Sequence, residues 1–526
     1  MERPRRRWYL LFGVLAALVG TAVGHLIAAV LRPDSSPILV VGSTVIDLTP
    51  TPLKEWAIRT FESDGFSLGP VDFAARNYDK TVLVGSVFVG VLALAGLAGL
   101  LARRRLTHGA ALLAGLVAVP LVTALTRPDP AVIDVVPSLG AAVAGVGALV
   151  LLVRAAAPAP EPAEVTGTTS RRRLMLVSGG LLGLAVVAGG AGRWLIGYRS
   201  RPEDVVLPRP AAGEAAPPLP RGLEARVDGV SPLQVPNSDF YRVDTRLDTP
   251  VVNSEDWSLT IDGDVREKVR LDFDELLAMP MVERDITLTC VSNSVGGAYV
   301  GGARWLGVPL TDVLDLAGVG TKADQILSTD FDGMTISTPL AVATDGRDAL
   351  VAVGMNGSPL PREHGFPVRL VIPGLYGFIS ATKWLTRLTL TTYAAEEAYW
   401  TRRGWATDAP IKPSARIDTP RALAELDAGE VIVGGVAWAQ NDDGVGRIEV
   451  QVDGGPWQRA KLGPDLGSNA WRQWYYAWEA LPGRHLLKAR VVAADGDVQT
   501  AVRAEPFPSG SSGIHSVTVE VRRNGG

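Results

Sequence analysis

The chain has 526 residues, 47% of them hydrophobic, with a net charge of −4, one cysteine and a mean hydropathy of +0.19. That length holds several domains, the lone cysteine excludes any intrachain disulfide, and the arginines, gathered in short runs, offer no basic face for a nucleic acid. The apolar excess lies almost entirely before residue 200, so a membrane half precedes a soluble half.

Five apolar stretches, Tyr9–Leu31, Thr81–Leu101, Gly109–Leu125, Val132–Val153 and Leu174–Ile196, approach the ~20 residues that span hydrocarbon. The basic clusters Arg3/Arg5–Arg7, Arg103–Arg105 and Arg171–Arg173 fall on one side if all five cross. The positive-inside rule then places the N-terminus in the cytoplasm and everything after Tyr198 outside the cell membrane. Between the first two spans, Thr51-Pro52 followed by Leu53, Trp56, Ala57, Thr60 and Phe61 predicts a helix. It would lie at the membrane interface or pack on its neighbours. His25 and His108 sit at mismatched depths and read as structural or pore-lining residues, not as a haem pair. Ser170-Arg171-Arg172-Arg173-Leu174-Met175 reads either as an internal twin-arginine export signal or as an ordinary positive-inside cluster. No A-x-A cleavage site follows, so the span is expected to stay as an anchor.

The domain boundaries read as 1–198 for the membrane region, 199–222 for a linker rich in Pro, Ala and Glu, 223–397 for a middle domain and 398–526 for a C-terminal one. In the middle domain, Trp257–Ile261 alternates before an Asp-Gly turn, Asp272 with Glu275 forms a capping box, and Leu310–Ala317 carries helical spacing that stops at Gly318. Strands are expected at Thr335–Ser337, Ala349–Val353, Val368–Ile372 and Leu385–Leu390, giving an α+β domain with a mixed sheet.

Cys290 ends an apolar approach through Ile286 and Leu288 and is followed by Ser292, Asn293, Ser294 and the glycine pairs 296–297 and 301–302. A lone cysteine is most often a small buried hydrophobe. At a strand-to-loop junction its thiolate also suits a soft metal or nucleophilic catalysis, and spacing alone does not choose.

In the C-terminal domain, alternating segments at Val431–Trp438, Arg447–Val452, Trp471–Trp478, His485–Val492 and Ser516–Val521 are separated by turn signals, which predicts an immunoglobulin-like antiparallel β-sandwich. Trp438, Trp457, Trp471, Trp474 and Trp478 read as core or interface. His485 and His515 lack metal-ligand spacing and read as structural.

Four blocks in order carry a resemblance: Asn237-Ser238-Asp239-Phe240-Tyr241-Arg242; the Cys290 loop with Trp305-Leu306-Gly307-Val308-Pro309-Leu310; Asn356-Gly357 through His364-Gly365-Phe366-Pro367-Val368-Arg369; and Pro373-Gly374 through Thr382-Lys383-Trp384. Together they make Asn237–Tyr393 resemble the molybdopterin domain of the sulfite oxidase family, which includes the periplasmic methionine-sulfoxide reductase catalytic subunits. The resemblance implies a molybdenum–molybdopterin cofactor with the Cys290 thiolate on the metal. It implies that Arg369 and Lys383 meet the cofactor phosphate, that Asn237, Tyr241 and His364 meet the pterin edge or tail, and that the 380–383 backbone, Thr382 included, adds donors. Asp330 falls loosely at another cofactor contact, or caps a turn. Arg242 matches an arginine that lies over the metal and binds an oxyanion substrate.

Two departures bear on substrate. Sulfite oxidases follow the ligand cysteine with a basic pair, where this chain has Ser294-Val295-Gly296-Gly297, and members that oxidise sulfite carry a tyrosine near the metal where the block Trp400–Trp405 ends in tryptophan. The reading is therefore a membrane-anchored, extracytoplasmic oxidoreductase that transfers an oxygen atom with two electrons on a small or protein-borne S- or N-containing substrate. The alternative is a non-catalytic membrane scaffold with a degenerate molybdenum domain. The chain carries no CxxCH or Fe–S spacing, so a membrane quinol, a cytochrome or another redox protein is the expected electron partner. The C-terminal domain resembles the dimerisation domain of sulfite oxidases, which puts a homodimer among the expected partners.

Overall fold

The computed structural model describes residues 6–49, 67–68, 71–72, 78–125, 131–157, 168–199, 205–246 and 249–523. The interface helix expected at 51–61 lies outside them. The chain divides into two compact units, Met1–Arg201 with Thr245–Val251, and Pro202–Asp244 with Val252–Gly526.

In the first unit, five helices among the described residues are long and apolar enough to cross a membrane: Arg6–Leu31, Gly85–Arg104, Leu106–Leu125, Val132–Ala155 and Arg172–Arg199. Small residues let them approach, since Gly13, Ala16, Gly20 and Ala28 on the first helix are all buried. His25 is engaged locally, its Nδ1 3.1 Å from Ser36 Oγ, and Arg32 pairs with buried Asp134 at 3.2 Å. A short apolar helix, Pro37–Leu48, joins the bundle without having been signalled by length.

In the second unit, the middle domain packs two five-stranded sheets. The strands Val282–Thr289 and Val300–Pro309 pair along Val282–Gly307 to Thr289–Val300, and Leu350–Met355 continues that sheet, with Arg369–Val371 pairing on its far edge. The other sheet sets Leu385–Thr391 between Ser258–Gly263, in parallel, and Gln325–Asp330, antiparallel. The mixed sheet follows from that one parallel pair. Leu310–Ala317 is helical as its spacing predicts, burying Leu310, Val313, Leu314 and Ala317. The capping box forms too: Glu275 N donates to Asp272 Oδ1 and Asp272 N to Glu275 Oε2, both at 2.8 Å.

Residues 205–220, expected as linker, run hydrogen-bonded along the middle domain. Ala211 N donates to Met281 O at 2.8 Å, Glu283 N to Glu214 O at 2.9 Å, and Arg304 to Pro217 O at 2.8 Å. A Pro-rich segment without periodicity can still be ordered when its few backbone groups find partners on a sheet edge.

The C-terminal domain faces a four-stranded sheet, Ser414–Thr419, Gly429–Trp438, Arg472–Ala480 and Lys461–Leu462, against a five-stranded one built on Val445–Val452, Gly483–Ala493 and His515–Arg522. Its core interleaves Val433 and Trp474 from the first with Leu487, Val491 and Val519 from the second. The two domains are continuous inside: Val436, Trp438 and Trp471 belong to the same apolar cluster as Ile372 and Leu375 of the middle domain.

Alternation across Gly483–Ala493 sets a direct contrast. Leu487 is fully buried, whereas Leu486 is 37% exposed. Leu487→Ala should lower stability by about 2–5 kcal/mol and Leu486→Ala by about 0.5 kcal/mol or less, read as unfolding midpoints in denaturant.

Candidate active site

Four loops of the second unit converge. The strand Val282–Thr289 ends one residue before Cys290, whose N–H donates to Tyr299 O at 3.0 Å while its own carbonyl accepts from Asn293 N at 3.0 Å. The thiol is buried, at the strand-to-loop junction that the apolar alternation implies. Gly377 N donates to Thr289 O at 3.0 Å and so ties the 373–384 loop to the residue before the cysteine.

Arg369 opens its strand from inside the domain, only 5% exposed. Its guanidinium donates to His364 O at 3.0 Å and lies over the Trp305 ring at 4.9 Å. Among the described residues no carboxylate pairs with it, and burial draws it down to about 10. Lys383 donates to Asp244 Oδ2 at 2.6 Å and to Glu363 O at 3.3 Å. Burial holds it at about 8 against the pull of Asp244, with Arg242 and Arg369 lowering it further. Arg242 donates to the same Asp244 oxygen at 2.8 Å. Gly365, at φ +112°, makes the approach possible, because a Cβ there would lie 3.0–3.1 Å from Lys383 and Arg369.

His364 is 2% exposed, and its Nε2 sits 2.9 Å from Asn237 O. Burial, with Arg369, Lys383 and Arg242 nearby, brings it down to about 4 despite the hydrogen bond, so it is neutral at pH 7 and Nε2–H donates. Tyr241 is held well above the usual phenol range, first by burial and then by Cys290, with Arg369 acting in the opposite direction. One phenol is therefore in electrostatic reach of both the thiol and the unpaired guanidinium.

The other expected site residues are placed as follows. The Asn237 amide is spent within the fold, donating to Met355 O at 3.2 Å and Ser358 Oγ at 3.1 Å and accepting from Asn356 Nδ2 at 2.8 Å. What it offers the site is its backbone carbonyl, to His364. Asp330 Oδ1 accepts from Asp332 N and Met334 N, both at 2.9 Å, the turn cap weighed for it. Thr382 Oγ1 is buried 2.6 Å from Ser328 Oγ. Trp405 packs among Phe378, Trp400 and Phe507 at centroid distances of 5.6, 6.1 and 5.2 Å.

Sequence reasoning missed Asp244, which joins Arg242 to Lys383 although the two lie far apart in the chain. It missed the Trp305 face under Arg369. It also missed Tyr376, a buried phenol raised to about 12 by burial, with the Cys290 charge adding to the effect. A local signal existed only for Asp244, in the charged Arg242-Val243-Asp244 triplet.

The chemistry of the donor set can be tested against the implied cofactor. Three cations, Arg242, Lys383 and Arg369, act on one another and on His364, and Asp244 is the carboxylate that the first two share. A buried excess of positive charge is costly without an anion. A phosphate answers that charge, and the buried thiol alongside supplies a soft ligand. The residues fit a phosphate-bearing molybdenum cofactor.

Residues 246–400 match the family described as the oxidoreductase molybdopterin binding domain. Mitochondrial sulfite oxidase from Rattus norvegicus is 33% identical over 287 residues, 45% of this chain and 52% of that protein. Across this stretch the chain is similar to sulfite oxidases. The Drosophila melanogaster enzyme is 29% identical over 330 residues, 53% of this chain and 55% of that protein, so the chain spans about half the length of these sulfite oxidases. An NADH nitrate reductase of Phaseolus vulgaris is 26% identical over 312 residues, 48% of this chain and 34% of its own. The sulfane dehydrogenase SoxCD from Paracoccus pantotrophus covers 56% of this chain and 82% of its own at 22% identity and a TM-score of 0.49. Over residues 246–400 the chain carries a molybdopterin-binding oxidoreductase domain, which implies a molybdenum–molybdopterin cofactor.

The His364 environment sets a pH dependence. Its folded value, about 4, lies below the ordinary 6.5. Between those values the unfolded chain binds a proton that the folded chain refuses, so the contribution is present above pH 6.5 and is lost as pH falls toward 4. His364→Gln should flatten that part of the stability profile by up to about 3 kcal/mol, at ~1.4 kcal/mol per pH unit. Denaturation midpoints between pH 4 and 7 measure it, and half-buried His515, also drawn down to about 4, leaves a residual slope in the variant.

Proposed function

We propose that this protein is a membrane-anchored oxidoreductase whose soluble unit works outside the cytoplasm, moving an oxygen atom and two electrons on a small or protein-borne S- or N-oxide. The observation that carries the reading is the meeting of a buried thiol with buried Arg369 and with Lys383 and Arg242, both paired with Asp244. The five apolar helices and the positions of the arginine clusters support anchoring with the N-terminus inside. The last of them, preceded by Arg171–Arg173, is the anchor of the exported unit, and the twin-arginine reading of that cluster suits a domain that takes up its cofactor before export. The two facing sheets of the C-terminal domain support an immunoglobulin-like sandwich.

Bound molybdenum–molybdopterin supplies the two-electron oxygen-atom exchange. Cys290 holds the metal through its thiolate. Arg369 and Lys383 neutralise the cofactor phosphate, with Trp305 as a rigid apolar floor under the guanidinium. His364 stays neutral and is oriented by the Asn237 carbonyl. Tyr241, far above the usual phenol range, remains a protonated hydrogen-bond donor beside the thiolate. Arg242, held through Asp244 and 19% exposed, presents the charge that orients an S–O or N–O dipole. A membrane quinol, a cytochrome or another redox protein supplies the electrons.

The environment of the loop after Cys290 favours an oxide over sulfite. Residues 294–297 bring no cation. The nearest guanidinium from the C-terminal domain, Arg416, is already paired with Asp418 at 2.6 Å. A dianion such as sulfite needs cationic partners that this loop does not bring, whereas a neutral dipolar oxide needs none.

Protein from a host that makes the cofactor should contain molybdenum and reduce S- or N-oxides with a reduced dye at higher kcat/KM than it oxidises sulfite. Efficient sulfite turnover would overturn the substrate assignment, and metal-free protein would overturn the enzyme reading.

A further inference from the structure

The segment that follows Cys290 is held by side chains of the C-terminal domain. Ser511 Oγ donates to Asn293 O at 2.6 Å, and Arg416 Nη1 donates to Gly297 O at 2.9 Å. Between these two points the His515 ring lies against Gly296, where a Cβ would sit 2.3 Å from ring Cδ2 and Nε2. Gly296 has φ +84°, so both its conformation and the ring require glycine.

Arg416 and His515 are themselves fixed from behind. Arg416 donates through Nε to Asp418 at 2.6 Å and through Nη2 to Ser231 Oγ at 2.8 Å, and Ser231 N donates to Asp418 at 2.9 Å. The His515 Nδ1 accepts from Ile417 N at 3.0 Å. The anchors thus rest on the Ser414–Thr419 and His515–Arg522 strands, which belong to opposite sheets of the sandwich.

The loop is short and closed at its neck. Cys290 N bonds Tyr299 O, Asn293 N bonds Cys290 O, Tyr299 N bonds Asn293 Oδ1 at 2.9 Å, and Gly297 N bonds Ser294 O at 2.8 Å. A pull on Asn293 O therefore reaches the Cys290 peptide through one residue's backbone. The missing side chain at Gly296 leaves room for the His515 ring.

Charge excludes another role for these contacts. Arg416 is neutralised by Asp418, so it adds no net positive charge for an anion, and hydrogen bonds to carbonyls act on geometry.

We propose that Arg416, Ser511 and His515 are positioning residues that set the orientation of the Cys290 thiolate by holding the 293–297 loop. The proposal rests on the reading of Cys290 as the metal ligand. It gives the C-terminal sandwich a role in tuning the metal site within one chain.

The test uses full-length holoprotein and compares wild type with Ser511→Ala, Arg416→Gln and, as control, Ser512→Ala, whose hydroxyl donates instead to Val502 O at 2.8 Å. Three readouts are taken: molybdenum content, the Mo(V) electron paramagnetic resonance signal, and amide hydrogen exchange over 291–299. Ser511→Ala and Arg416→Gln should keep the metal, shift the Mo(V) g-values and exchange about five- to tenfold faster across the loop, as the loss of one hydrogen bond predicts. Ser512→Ala should match wild type. Unchanged g-values and exchange in Ser511→Ala, with full metal content, would overturn the proposal even if Arg416→Gln fails to fold. Equal g-value shifts in Ser512→Ala would overturn it as well. Molybdenum-free wild type would overturn the underlying reading, and a wild-type signal unaltered by Cys290→Ser would remove the ligand on which the proposal acts.

Discussion

The burial of Arg369, which pairs with no carboxylate among the described residues, is the constraint on which the soluble unit depends. Arg369 is almost fully enclosed, meets carbonyl oxygens and an indole face, and is drawn down to about 10. Lys383 and Arg242 both pair with Asp244. Like charges brought together in a medium of low effective dielectric repel by several kcal/mol, on the order of 4 at 4 Å with an effective constant of 20. On the proposed reading, a phosphate answers that charge and the Cys290 thiol adds a soft ligand.

The rest of the middle domain serves this placement. Gly365 lets the backbones of Arg369 and Lys383 close up, the Asn237–Asn356 amide pair locks the entry loop, and the Asn237 carbonyl fixes the His364 tautomer. From the opposite side the sandwich pins the loop behind Cys290. Middle and C-terminal domains share one apolar cluster through Trp438 and Trp471, so this bracing rests on a continuous core.

Local periodicity made much of this legible in the sequence. The Leu310–Ala317 helix, the Asp272–Glu275 cap, the alternating strands of both domains and the five long apolar helices all encode their structure within a few residues of themselves. Cys290 was legible as a strand-end thiol, and the ordered blocks around it as a family signature. The partners of those residues were not. Asp244 reaches Lys383, Asn356 absorbs the Asn237 amide, and Arg416 reaches Gly297 only after the chain has folded back across more than a hundred residues. Such pairings leave no spacing to read. The 205–220 segment was missed for a related reason, since its order comes from hydrogen bonds to a sheet edge and not from its own composition.

The central claim, that the Cys290 thiolate completes a cofactor held by buried cations, is tested most directly by X-ray absorption at the molybdenum edge of purified holoprotein. A dithiolene supplies two sulfurs and Cys290 the third, so the account predicts three sulfur ligands in wild type and two in Cys290→Ser. The same sulfur count in both proteins would contradict it.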